Sequence, residues 1–115
     1  MSFNRIQRAV EGQAMAPRFS MNSEVLAAGK TLALNDAPHQ RFDPDGSTRI
    51  IVLPAVALAD GSWFEILNWA GGAEDLTIND ASGSTIATVS QNESCKFVCD
   101  GSAWYHMGIT TIALA

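Results

Sequence analysis

The sequence predicts an all-β fold: an antiparallel sandwich of about eight strands, of the jelly-roll kind, behind an extended N-terminal arm, with a simple up-and-down barrel as the alternative. Three observations lead there. Short segments rich in β-branched and aromatic residues recur from residue 31 onward, at the interval of about 8–12 residues typical of sandwiches. Asp-Gly pairs and other turn signals separate them. Residues 1–30, by contrast, show no sustained apolar period.

The arm comes first in the chain. Residues 1–30 are dominated by Ala, Met, Ser, Asn and Gln, with Pro17 and two glycines. Such a stretch has little apolar surface to bury alone and is ordered against something else. The chain therefore divides into an arm, 1–30, and a β-sandwich body, 31–115. The segments predicted as strands are TLALND (31–36), HQRFD (39–43), RIIVLP (49–54), SWFEILN (62–68), DLTIND (75–80), STIATV (84–89), SCKFVC (94–99) and AWYHMG (103–108). ITTIALA closes the chain. Alternation assigns faces: Leu32 with Leu34, Leu76 with Ile78, and Cys95, Phe97 and Cys99 opposite Lys96. Asp-Gly at 45–46, 60–61 and 100–101 is expected to form tight hairpins, because both positions tolerate positive φ.

A chain of 115 residues is one domain, with a core that needs neither disulfide nor metal. Apolar residues make up 47%, too many for a disordered chain. Charged residues make up 17%, against about 25% in ordinary soluble domains, which points to a surface partly covered by a partner. The net charge of −5 argues against nucleic acid and against anionic membranes as partners. No run of about 18 apolar residues is present, and the N-terminus lacks the apolar core of a signal peptide, so synthesis in a cytoplasm is expected. The charge is uneven: the arm sums to +2 and the body to −7.

Catalytic patterns are missing. There is no phosphate-binding glycine loop and no GxSxG elbow. The pairs Asp43/Asp45 and Glu74/Asp75 lie in turn-rich sequence, where carboxylates cap backbone rather than face each other across a cleft. Asp43-Pro44-Asp45-Gly46 lacks the bidentate Glu of a calcium loop. Cys95 and Cys99, four apart on a strand, have Cα atoms roughly 13 Å apart. A disulfide requires about 7 Å or less, so two reduced, buried thiols beside Phe97 are expected. Two thiols with His39 and His106 are too few and too scattered for a zinc site. The reading is a non-enzyme with no cofactor and no metal. Trp63, Trp69 and Trp104 are the remaining candidates: at least two are expected in the core, with Trp63 balanced between core and interface by its strand parity with Glu65.

The segments FDPDGSTRIIVLP, LADGSWFEILNWA, LTINDASGSTIATV and CDGSAWYH, between about residues 42 and 105, carry a resemblance. A strand ending in Leu-Pro, an Asp-Gly-led aromatic strand, a hairpin around Ala-Ser-Gly and a closing Asp-Gly-x-x-Trp strand resemble small bacteriophage virion modules. These are head decoration (cement) proteins of the jelly-roll kind and domains of tail fibres. With the chain taken as complete from Met1, its length favours the capsid. The resemblance implies a structural protein of the virion's capsid surface, made in the bacterial host cytoplasm. It binds the major capsid protein, forms a homotrimer and uses its terminal arm along the shell. Phe3, Arg5, Arg8, Met15, Arg18 and Phe19 would then be arm anchors, with Trp63 and Trp69 as interface aromatics. The alternative is a tail-associated or fibre-tip carbohydrate-binding module, with Trp69 beside Gly71-Gly72 as its platform.

Overall fold

The computed structural model describes residues 20–112. Arm residues Phe3, Arg5, Arg8, Met15, Arg18 and Phe19 lie outside this range. The described chain is all-β, with nine strands: β1 (Met21–Val25), β2 (Lys30–Thr31), β3 (His39–Asp43), β4 (Arg49–Val52), β5 (Trp63–Asn68), β6 (Leu76–Asn79), β7 (Thr85–Val89), β8 (Glu93–Cys99) and β9 (Trp104–Thr111). A single 3-10 turn, Val56–Leu58, precedes β5. One sheet runs β9-β8-β5-β3-β1 and the other β2-β4-β6-β7.

From β1 to β6 the chain changes sheet at every step, so each strand from β3 onward lies beside the strand two before it. The resulting pairs β1–β3, β2–β4, β3–β5 and β4–β6 are all parallel. The chain then doubles back, and β6–β7, β5–β8 and β8–β9 are antiparallel. The expected all-β fold is present, and its antiparallel pairing holds in part: three pairs are antiparallel and four parallel, which makes a mixed, coil-wound sandwich. Parallel neighbours need a long crossover between them. Here the crossover is itself a strand of the opposite sheet.

The turns explain why sequence pointed elsewhere. Asp45 and Gly46 both have positive φ, 57° and 86°, as in a type I′ turn. That reversal connects β3 to β4, which lie in different sheets, so it is a corner. Asp60-Gly61 likewise leads from the 3-10 turn into β5. Only Asp100-Gly101 closes a hairpin, between β8 and β9. The same dipeptide serves a corner or a hairpin: Gly61 and Gly101 have positive φ as Gly46 does, but of the three aspartates only Asp45 does, so the sequence alone does not separate the two.

Two boundaries also move. The segment 31–36 stops being a strand after Thr31. Asp36 accepts a hydrogen bond from the Ala33 amide at 2.8 Å and closes a turn, leaving Leu32 buried and Leu34 40% exposed. The paired body begins at Met21 rather than at residue 31, because β1 joins the five-stranded sheet. Its polarity is inverted, with Met21 and Val25 outward and exposed and Asn22 and Glu24 on the less exposed side. An apolar-in pattern search therefore misses it.

The core lies between the sheets. Phe64 and Phe97 are cross-strand partners in one sheet, with Phe42 further along it opposite Asn68, and all three pack in one core with Ile51, Leu76, Ile78 and Val89 of the other sheet. Full burial of each such side chain contributes about 1.5–3 kcal/mol. Trp104 is buried beside Phe64, and its indole N–H donates to the Pro54 carbonyl at 2.9 Å. Cys95 and Cys99 are free and buried, on one face of β8 with Phe97. At the β1/β2 end the interior turns polar. Asn22 donates to Gln40 at 2.8 Å and to Glu24 at 3.0 Å, and Glu24 pairs with Lys30 at 3.0 Å.

Candidate functional site

The outer face of the five-stranded sheet gathers most of the unusual side chains. Burial alternates along β3 and β5, so the buried sets Gln40/Phe42 and Phe64/Ile66/Asn68 leave His39, Arg41, Trp63, Glu65 and Leu67 outward. Strand register then sets them in rows across the sheet. Tyr105, Val98 and Trp63 form one row, and Lys96, Glu65, His39 and Met21 the next. Ser94, Leu67, Arg41 and Ser23 form a third.

Trp63 is half-buried on this face. The Lys96 ammonium lies 4.6 Å from its ring centroid, and the His39 ring meets it edge-on at 5.2 Å. His39 Nδ1 also lies 3.2 Å from Glu65 Oε1. Trp69, just beyond β5, is 42% exposed, and the Arg41 guanidinium lies 5.0 Å from its ring centroid. Arg41 Nε donates to the Ser23 hydroxyl at 2.9 Å. Each cation–π contact contributes about 0.5–1 kcal/mol at such exposure and fixes a flexible side chain over a flat ring. Two shallow grooves cross the face. One of about 340 Å³ runs past Met21, His39, Glu65, Leu67, Ser94 and Thr110. The other, of about 260 Å³, lies between Arg41, Asp43, Val25 and Trp69.

The sequence-predicted interface aromatics Trp63 and Trp69 both reach this surface. The expectation of at least two core tryptophans is corrected to one, Trp104. Trp63 follows the outward parity of Glu65, and Trp69 lies past the end of its strand. His39, Arg41, Lys96 and Tyr105 belong to the same face, a grouping that no single strand's pattern reveals. Their parity is legible, since each alternates with a buried neighbour. The strand order that brings them together is not.

Elsewhere the chemistry is that of turns. Asp43 accepts from the Asp45 amide at 2.9 Å, and Asp80 accepts from the amides of Ser82 and Ser84 and from the Ser82 hydroxyl. These bonds hold the Asp80 carboxyl below its ordinary range. Asp100 is lowered in the same way, by the amides of Ser102 and Ala103. The Tyr105 hydroxyl bonds to Asp100, which pushes the phenol up. A third hollow, of about 450 Å³, lies beside Asp80 and is otherwise lined by small residues such as Ala55, Ala57 and Ser102. Among the described residues, no three His, Cys, Asp or Glu side chains are gathered as a metal ion would need.

Fold and face together describe a two-sheet β-domain carrying a cation-capped aromatic surface. No family model, no curated protein and no solved structure matches this chain.

Proposed function

We propose that the protein is a structural virion component, a capsid decoration protein that binds the outside of a bacteriophage head and stabilises contacts between capsomers. The observation that carries a binding role is the outer face of the five-stranded sheet. Tryptophan, tyrosine and arginine, the residue types that dominate interface energetics, lie together there, with Trp63, Arg41 and Tyr105 on paired strands and Trp69 just past the end of β5. The phage assignment rests on the sequence resemblance between residues 42 and 105. A decoration protein acts as a ligand selective for the assembled shell. It stabilises that state by mass action, with no bond made or broken. The arm, with Phe3, Met15 and Phe19 as apolar anchors and Arg5, Arg8 and Arg18 as rim charges, would extend the contact.

The test is co-sedimentation with undecorated shells of the major capsid protein from the same genome, at two salt concentrations. Trp63→Ala and Trp69→Ala should each weaken binding at least about tenfold. Deletion of residues 1–19 removes none of the described strand pairings and should leave a folded body with reduced binding. Phe3→Ala should cost more affinity than Arg5→Ala, because salt screens exposed charge. Failure of the intact protein to bind any shell would sink this reading. The exposed ring of Trp69 favours a second reading, a carbohydrate-binding module of a tail or fibre. Arg41 lies over that ring, so a sugar would have to displace it. Glycan-array binding that Trp69→Ala abolishes would establish that alternative.

A further inference from the structure

Four strands form the edges of the two sheets, and they differ in how they are protected. β1 carries Glu24 on its less exposed side, and β2 is only two residues long. Both are known ways of blunting an edge. β7 is short, with only Thr85 and Thr88 exposed. β9 is eight residues long, WYHMGITT, without an acidic or basic residue other than His106, and seven of its eight positions are exposed. Tyr105, Met107 and Ile109 are 54%, 67% and 41% exposed.

The free backbone groups of β9 can be assigned. The Cys99 amide and carbonyl bond to Ser62 and Gly61, on the β5 side of β8. Cys95 and Phe97 share that parity, so the next set, Ser94 and Val98, faces β9 and meets Thr110 and Tyr105. The Ile112 amide bonding to the Asn92 carbonyl obeys the same parity. Trp104, His106, Ile109 and Thr111 therefore turn their amides and carbonyls to the open edge. The bulge at Met107–Gly108, where Gly108 has φ +97°, produces this spacing. The set is symmetric about the 107–108 peptide: reversing the strand exchanges Trp104 with Thr111 and His106 with Ile109.

We propose that β9 is a self-association edge, pairing antiparallel with β9 of a second copy about a two-fold axis through the Met107–Gly108 peptide. Two-fold pairing requires one surface to complement itself, and the outward backbone groups of β9 do so. Charge argues for the same partner. A chain of net charge −5 carries a repulsive cost against its own copies, and β9 adds nothing to that cost at the seam because it brings no carboxylate or fixed cation against its equivalent. The pairing would join two five-stranded sheets edge to edge and cover Met107 and Ile109. It depends on this edge alone and not on the capsid reading, and it yields a dimer where the resemblance implies trimers.

Sedimentation equilibrium of the full chain, at up to about 100 µM, is the measurement. The expected result is a dimer whose His106 and Ile109 amides exchange more slowly as concentration rises. Thr111→Pro removes an amide that faces away from β8, so the intrachain ladder keeps its bonds while the dimer is lost. Ile109→Lys places a charge at the same seam and should also give a folded monomer. It carries the test if the proline variant does not fold. A monomeric or trimeric wild type, or a variant pair that remains dimeric, would overturn the proposal.

Discussion

Asn68 is fully buried at the end of β5 and uses every polar group it has. Its amide donates to the carbonyls of Glu74 and Val89, both at 2.9 Å, and its oxygen accepts from the Ala70 amide. One side chain thus ties β5 to the loop before β6 and to the end of β7. Asn68→Leu keeps the volume but strands three backbone groups, each costing about 1–3 kcal/mol when unpaired. A loss of about 3 kcal/mol in urea unfolding is expected, and a loss below about 1 kcal/mol would show that water replaces the amide. Cys95 illustrates the opposite environment, where burial pushes the thiol up and suppresses the reactive thiolate. Thiol titration should count two free thiols per chain in guanidinium and far slower labelling in the native protein. Rapid native labelling would mean that β8 opens easily.

At the scale of elements, the turns make stability depend on pH. Asp80 and Asp100 are lowered by the backbone and hydroxyl donors of their turns, and Glu24 by Asn22 and then Lys30. A carboxyl lowered on folding adds stability above its unfolded value, and that stability is lost as pH falls through the folded value. The midpoint temperature should therefore drop on acidification from about pH 5 to about pH 3. The double variant Asp80→Asn, Asp100→Asn should show a shallower drop, since an amide oxygen still accepts but carries no charge. An identical slope in the variant would assign the acid sensitivity to other groups. The same elements show what sequence can and cannot reveal. β3 and the cores of β5 to β8 were legible from alternation around Phe42, Phe64, Ile78 and Phe97. β1 was not, because its apolar residues face outward. The parallel order was not, because Asp45-Gly46 looks the same at a corner as in a hairpin. On the candidate face, the outward parity of Trp63 was readable beside Glu65. Its meeting with His39 and Lys96 depends on strands 24 and 33 positions away in the chain.

At the scale of the molecule, the two sheets share one core and cannot be divided. Each strand from β3 to β6 pairs with one that precedes it by two, and the strands between belong to the opposite layer. Removing any coil uncovers both sheets at once. Unfolding is expected to be a single transition, with the near-ultraviolet signal of buried Trp104 and the far-ultraviolet signal of the sheets falling together. Separated midpoints would mean that the parallel coils and the returning strands β7–β9 melt as distinct units.

The winding also sets how the domain responds to tension. β1 and β9 occupy opposite edges of one sheet and run in the same direction, because two antiparallel steps separate β9 from β5 and only parallel steps separate β5 from β1. Pulling on residue 20 against residue 112 therefore draws β1 backward along β3 while the rest of the sheet is drawn forward. The hydrogen bonds between β1 and β3 lie across that force and resist it together rather than opening one by one. Strain arriving through the chain on either side of the sandwich meets its stiffest axis, and the domain can hold two attachment points together without unzipping.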